Sequence, residues 1–193
     1  LDWWQSCGSE NVIAPRIERF WLNLKNQSLS YTHLEITKSS SLPVGFYLDQ
    51  HRIKLGNSAT VFRQAKAALK SWKAHQSSWI QAYPISTPLE IGQNVVIAVG
   101  IAKLQLLSGC RIIYVVDEPR MFGFAYGTLQ QHPACGEERF LLEWLEDDSV
   151  VFSLYAVSKP ANWFYRLAAP ITRRIQFLAS QAYLQAMYKA VQL

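Results

Sequence analysis

From Trp79 to Ser158 the apolar residues fall into six short runs with the two-residue period of strands, near 79–85, 92–102, 110–118, 122–130, 137–146 and 149–158. The links between most of them, Ser108-Gly109, Glu118-Pro119 and Asp147-Asp148, are too short to return a chain for parallel pairing, so the runs predict an antiparallel sheet. A long helical stretch follows from Pro160 to about Val191, and Pro170 should kink or divide it. Ahead of the runs, Asn57 or Ser58 caps a helix continuing to about His75, with an apolar stripe of Val61, Phe62, Ala65, Leu69 and Trp72. The spacing also predicts a helix over Arg16–Lys25 with Pro15 in its first turn, a strand over Leu29–Thr37, and a loop at Ser39–Leu42 running on to Pro43 and Gly45. The expected fold is α+β. A curved antiparallel sheet of about six to seven strands wraps around a long C-terminal helix, with helices inserted after the first strand. Residues 1–28 form an aromatic-rich extension packing on a single domain, 29–193.

The chain has 193 residues, half of them apolar and 17% charged, which excludes a disordered polypeptide. Seven Trp, nine Tyr and nine Phe fit either a large core or a ring-lined cavity. The net charge of +5 permits an acidic partner, but bases cluster only loosely, as Lys66, Lys70 and Lys73 and as Arg166, Arg173 and Arg174. Without a basic stripe or a recognisable module, nucleic acid is excluded as a partner. Cys7, Cys110 and Cys135 form no C-x-x-C pair, so neither zinc nor a dithiol centre is expected, and a reduced cytoplasmic or organelle-lumen setting is. No apolar run reaches the ~18 residues of a membrane span. The C-terminal stretch has a broad apolar face. Its polar side carries Gln176, Ser180, Gln181 and Gln185 rather than bases, which favours a helix gripped by its neighbours over one lying on a membrane.

Strand 110–118 places Ile113 and Val115 on one face and Ile112, Tyr114 and Val116 on the other. Strand 149–158 is also apolar on both faces. A sheet apolar on both faces needs a second cover. The Trp-rich N-terminal segment is one candidate and a partner subunit, making a homo-oligomer, is another. Peripheral membrane contact is a third.

Residues 123–140, GFAYGTLQQHPACGEERF, concentrate the chemistry. Gly123 and Gly127 weaken a strand interior unless a bulge, a bend or a close backbone approach needs them. His132, before a proline, is either a loop residue bonded to backbone or an acid–base group titrating near neutrality. Glu137 and Glu138 point to opposite faces, and Glu138 shares its side with Phe140, Leu142 and Trp144, which makes it the inward carboxylate. Arg111 is a candidate partner for it. The alternative is a purely structural ion pair. Tyr126 and Thr128 share a face, so their hydroxyls are positioned to orient a ligand; Tyr31 and Trp72 are candidate pocket walls, and core packing explains both equally. The spacing of His132, Glu137 and Glu138 matches no metal motif, no nucleophile elbow is present, and no cofactor is implied.

The stretch from Tyr31 onward resembles uncharacterised protein family 0548. The resemblance rests on Gly123-Phe124-Ala125-Tyr126-Gly127-Thr128-Leu129, His132-Pro133, Gly136-Glu137-Glu138 and Phe140, supported by Tyr31, Leu42-Pro43, Leu55-Gly56, Phe62, Trp72, Pro160 and Pro170. The chain departs from the family pattern at Glu35 and Ser58, where that pattern has Gly, and at Lys159, where it often has Arg. The element order looks like the helix-grip architecture of the START and birch-pollen-allergen type. That resemblance implies binding of an apolar or amphipathic small molecule, of lipid or isoprenoid type, in an internal cavity between sheet and C-terminal helix. The alternative is an enzyme acting on a hydrophobic substrate with His132 and Glu138 as its acid–base groups.

Overall fold

Seven antiparallel strands form one sheet in the order β1-β7-β6-β5-β4-β3-β2. A computed structural model describes residues 10–101 and 104–192; Trp3, Trp4 and Cys7 of the expected extension lie outside them. The elements are α1 (Glu10–Asn23), β1 (Tyr47–Asn57), α2 (Ala59–Lys70), β2 (Ile80–Tyr83), β3 (Asn94–Ile101), β4 (Leu104–Glu118), β5 (Met121–Thr128), β6 (Ala134–Trp144), β7 (Ser149–Pro160), α3 (Trp163–Leu167) and α4 (Ala169–Ala190). The first strand pairs with the last, so α2 and α4 pack on the same concave face.

The concave core holds the α2 stripe, now Phe62, Ala65, Leu69 and Trp72, against Phe122, Phe124, Phe140 and Phe152 of the sheet and Tyr183, Leu184 and Met187 of α4. Each fully buried large side chain of this kind contributes roughly 1.5–3 kcal/mol relative to exposure. Ser58 starts α2 by accepting a hydrogen bond from the Val61 N–H. Pro170 lies in the first turn of α4, where its missing N–H costs nothing, so the C-terminal stretch is divided between α3 and α4 rather than kinked. Only part of α4 is gripped: its buried residues begin at Ala179, while Ile171, Ile175, Phe177 and Leu178 are exposed. The expected grip on this helix is thus made by its second half.

The strand expected over Leu29–Thr37 is absent. Leu29 makes a single bridge to Leu129, and the chain continues through turns to one 3-10 turn at Ile36–Lys38. Its backbone donors go elsewhere: the Glu35 and Thr37 N–H groups are bound by the Glu137 carboxylate. The first strand is β1 instead, whose concave-facing Asp49 and His51 hide its alternation. Pro15 falls inside α1, not in its first turn, which forgoes one helical hydrogen bond.

The convex face is covered by the segment 15–38. Ile17 and Leu24 join Val96, Ala98 and Leu129 in a second hydrophobic cluster. A bulge in β4 between Ile112 and Tyr114 reverses the alternation there. Ile112 faces the concave core, whereas Tyr114 turns to the convex side and meets the Thr37 hydroxyl at 2.7 Å. Ile112 and Tyr114 therefore do not share a face, contrary to the simple alternation.

Candidate functional site

The strand registers align one row of side chains across the concave face: Asp49 of β1, Ala156 of β7, Glu138 of β6, Tyr126 of β5 and Ile112 of β4. Tyr126 Oη donates to Glu138 Oε2 at 2.8 Å, and His75 Nε2 lies 3.3 Å from the same hydroxyl. Because the tyrosine proton goes to the carboxylate, the imidazole donates from Nε2. That leaves Nδ1 as a bare lone pair, and it is this atom that has no partner. The result is a relay from a buried imidazole through a phenol to a carboxylate.

Aromatic rings enclose the inner end of the relay. The His75 ring centroid lies 4.6 Å from Tyr183, 4.8 Å from Phe140 and 5.2 Å from Trp72. Burial in this setting lowers the His75 pKa to about 3, so the ring is neutral. The outer end is different. Burial raises the Glu138 pKa to about 7, partly offset by the Tyr126 hydrogen bond and reinforced by Asp49. Yet Glu138, like Asp49, His51 and Ala156, retains partial exposure, because the first turns of α4 do not seal this end of the grip. Arg173 of α4 reaches Asp49 at 2.8 Å, and the Phe177 and His51 rings meet in an edge-type contact with centroids 5.7 Å apart. The concave face is therefore filled by rings at depth and open where its carboxylate stands. Two surface depressions, about 530 Å³ against α1 and about 350 Å³ beside Lys70 and Phe122, lie away from this row.

Of the residues singled out in the sequence, Tyr126 and Glu138 meet here. Trp72 stands at the bottom of the same face, wholly buried, with its indole N–H donated to the Thr87 carbonyl at 2.8 Å. The others do not converge. His132 sits in the turn between β5 and β6, where its Nδ1 accepts the Ala134 N–H at 2.9 Å; burial lowers its pKa to about 4, and no hydrogen bond joins it to Glu138. Arg111 is not the partner of Glu138. It faces the convex side, where it donates to Asn94 of β3 and ties down the N-terminal segment through the carbonyls of Leu24 and Gln27. The Thr128 hydroxyl lies 2.6 Å from that of Ser30 and accepts the Gly136 N–H, so it does not serve the Tyr126 side.

Glu137 and Tyr31 form a separate clasp on the convex face. The buried Glu137 carboxylate accepts from Tyr31 Oη (2.7 Å), Glu35 N–H (2.7 Å), Thr37 N–H (3.3 Å) and Thr37 Oγ1 (3.1 Å). Burial, with Glu137 second, raises the Tyr31 pKa, keeping that phenol a donor. Gly127 makes the clasp possible: a Cβ there would stand 2.1 Å from the Tyr31 oxygen. The close approach expected at this glycine is thus made by a side chain of the N-terminal segment. His75 and Tyr183 were not singled out from sequence. Neither carries a local signal, since they reach Tyr126 from α4 and from the turn after α2. Among the described residues no three His, Cys, Asp or Glu side chains gather closely enough to hold a metal ion.

Known proteins share this fold. The aromatase/cyclase ZhuI from Streptomyces sp. R1128 superposes with a TM-score of 0.50 at 14% identity, covering 76% of this chain and 94% of that one. A norcoclaurine synthase point mutant from Thalictrum flavum, in complex with a transition state analogue, gives 0.51 at 10% identity, covering 79% and 98%. Such identities speak for the helix-grip fold alone. Sequence relatives are nearer. A UPF0548 protein of Dictyostelium discoideum is 36% identical over 143 residues, 68% of this chain and 66% of that protein, so the match spans slightly under two thirds of that relative. A UPF0548 protein of Deinococcus radiodurans is 32% identical over 185 residues, 91% of this chain and 93% of that protein. A family model described as a domain of unknown function, DUF1990, matches residues 30–186, and with these relatives it shows that the chain belongs to the UPF0548 family.

Proposed function

We propose that the chain binds a small amphipathic molecule at the open end of the grip, with its apolar part against the rings and α4 and a hydroxyl or amine on Glu138. The observation that carries this reading is a partly exposed carboxylate, hydrogen-bonded to Tyr126, on an otherwise aromatic concave face. A carboxylate in that setting attracts a donor that brings its own apolar body, because each partner then satisfies the other's burial. The lipid or isoprenoid class expected from sequence narrows to molecules carrying such a donor. Two fold neighbours being enzymes, an aromatase/cyclase and a norcoclaurine synthase, supports a chemically active grip in this architecture.

Titration of the chain with the fluorescent probe N-phenylnaphthylamine tests the reading. Emission should rise on binding, a long-chain amine or alcohol should displace the probe, and Glu138→Gln should weaken a long-chain amine about tenfold or more. Probe binding indifferent to Glu138→Gln and to competing amines would overturn it.

A second reading, catalysis, is favoured by the pKa of Glu138 near 7, which suits a general base at neutral pH. In that case Tyr126, itself in contact with His75 Nε2, takes the place of His132 as the group that works with Glu138. Turnover would then rise with pH through an inflection near that value, and Glu138→Gln would abolish it while leaving ligand binding measurable.

A further inference from the structure

Residues 149–193 contain five bases and no Asp or Glu, whereas residues 1–148 carry fourteen of each sign. The whole net charge of the protein therefore lies on β7, α3 and α4. The same region is where large apolar side chains are left uncovered. Among the described residues, eleven of the eighteen exposed large hydrophobics fall in 42–48 and 163–178.

These two stretches are one surface. Tyr47 pairs with Ser158 across β1 and β7. The Lys159 ammonium lies 4.7 Å above the Phe46 ring, and the Arg173 guanidinium lies 5.4 Å from the Tyr47 ring. Beyond Pro160, Asn162 caps α3 by accepting the Tyr165 N–H and so holds the Trp163-Phe164 pair in a fixed turn. Val44 is 98% exposed, Trp163 and Leu167 73%, and Ile171 67%. The bases are interleaved with them. Arg166 and Arg174 are exposed, and neither forms an ion pair with a described residue.

We infer that this face, from the loop before β1 across α3 to the first turns of α4, docks on an anionic lipid bilayer. Exposed Trp, Phe and Leu at the tip of a helical turn are suited to the headgroup boundary, and unpaired Arg side chains around them attract acidic lipid. A second copy of the chain fits poorly, because the face would confront its own positive charge. The docking side is also the side on which the grip stands open.

Flotation of the purified chain with phosphatidylcholine vesicles, with and without about a third phosphatidylserine, tests the inference. The protein should float with the phosphatidylserine vesicles at low salt, not with phosphatidylcholine alone, and should come off at about 0.5 M salt. Two double variants, Arg166→Glu with Arg174→Glu and Trp163→Ser with Leu167→Ser, should each lower the bound fraction about tenfold. All four side chains are exposed, so their melting curves should match the parent chain. No flotation, equal flotation with both vesicle types, or variants that float like the parent would overturn the inference. So would a dimer by light scattering that the same substitutions dissociate, since that assigns the face to a second copy.

Discussion

Glu138→Gln is expected to stabilise the fold at alkaline pH and to leave it nearly unchanged near pH 5. The folded chain holds the Glu138 proton up to about 7, against 4.5 for an unperturbed Glu. Between those values the folded state binds more protons than the unfolded state, so stability is lost as pH rises through about 7. The interval corresponds to about 3 kcal/mol at ~1.4 kcal/mol per pH unit. Partial exposure of the side chain lowers the expected gain to about 2 kcal/mol. Gln keeps an oxygen to accept the Tyr126 proton and adds no charge, so it mimics the protonated acid. For a chain of this length the gain amounts to about 4–8 °C in Tm at pH 8.5. Thermal unfolding followed by circular dichroism at pH 5 and 8.5, on parent and variant, reads the difference. His75 also titrates with unfolding, its pKa rising from about 3 in the folded chain to 6.5, and so removes stability as pH drops below 6.5. That contribution is common to both proteins and cancels in the comparison. A Tm difference equal at both pH values, or a variant less stable at pH 8.5, would refute the placement of an ionisable carboxylate on the buried ring face.

Ser58 has φ 102 and ψ 156, a region costly for a side chain, and its capping bond to Val61 is long at 3.4 Å. Ser58→Gly should therefore stabilise by about 1 kcal/mol, read from urea midpoints, since Gly is nearly as good an N-cap and relieves the strain. Glu137→Ala strands four donors on the convex face and should cost about 3–5 kcal/mol in the same assay. Gly127→Ala drives a methyl into Tyr31 and should cost about 1–3 kcal/mol, most of it abolished in a Tyr31→Ala background; additivity of the two would disconnect the glycine from the clasp.

The sheet was legible because its alternation is strong and its links are short. The C-terminal helix was legible as well, since nothing between Pro170 and Val191 interrupts it. The first strand was hidden because the concave side of β1 carries Asp49 and His51, polar groups at the open end of the grip, so the apolar period fails where the site begins. Simple alternation puts Tyr114 on the face of Ile112, but one bulged residue inverts every later position, and no glycine marks this bulge. Glu138 could be told from Glu137 by alternation. The clasp around Glu137 could not be foreseen, since its donors arrive from a segment a hundred residues earlier that looks like a strand. His132 and Arg111 have the chemistry of site residues, yet the backbone beside them claims their nitrogens. Positions 35 and 58, where the resemblance implies Gly, both have positive φ here, and this chain keeps that shape with Glu and Ser.

The seam between β1 and β7 sets the order in which the molecule is completed. Tyr47 and Ser158, partners across it, are 111 residues apart in the chain. During synthesis β1 has no strand neighbour until β7, about a hundred residues further along, has left the ribosome, and α2 waits beside it. Closure is a late, long-range event that slows folding and leaves an unpaired edge available to other chains meanwhile.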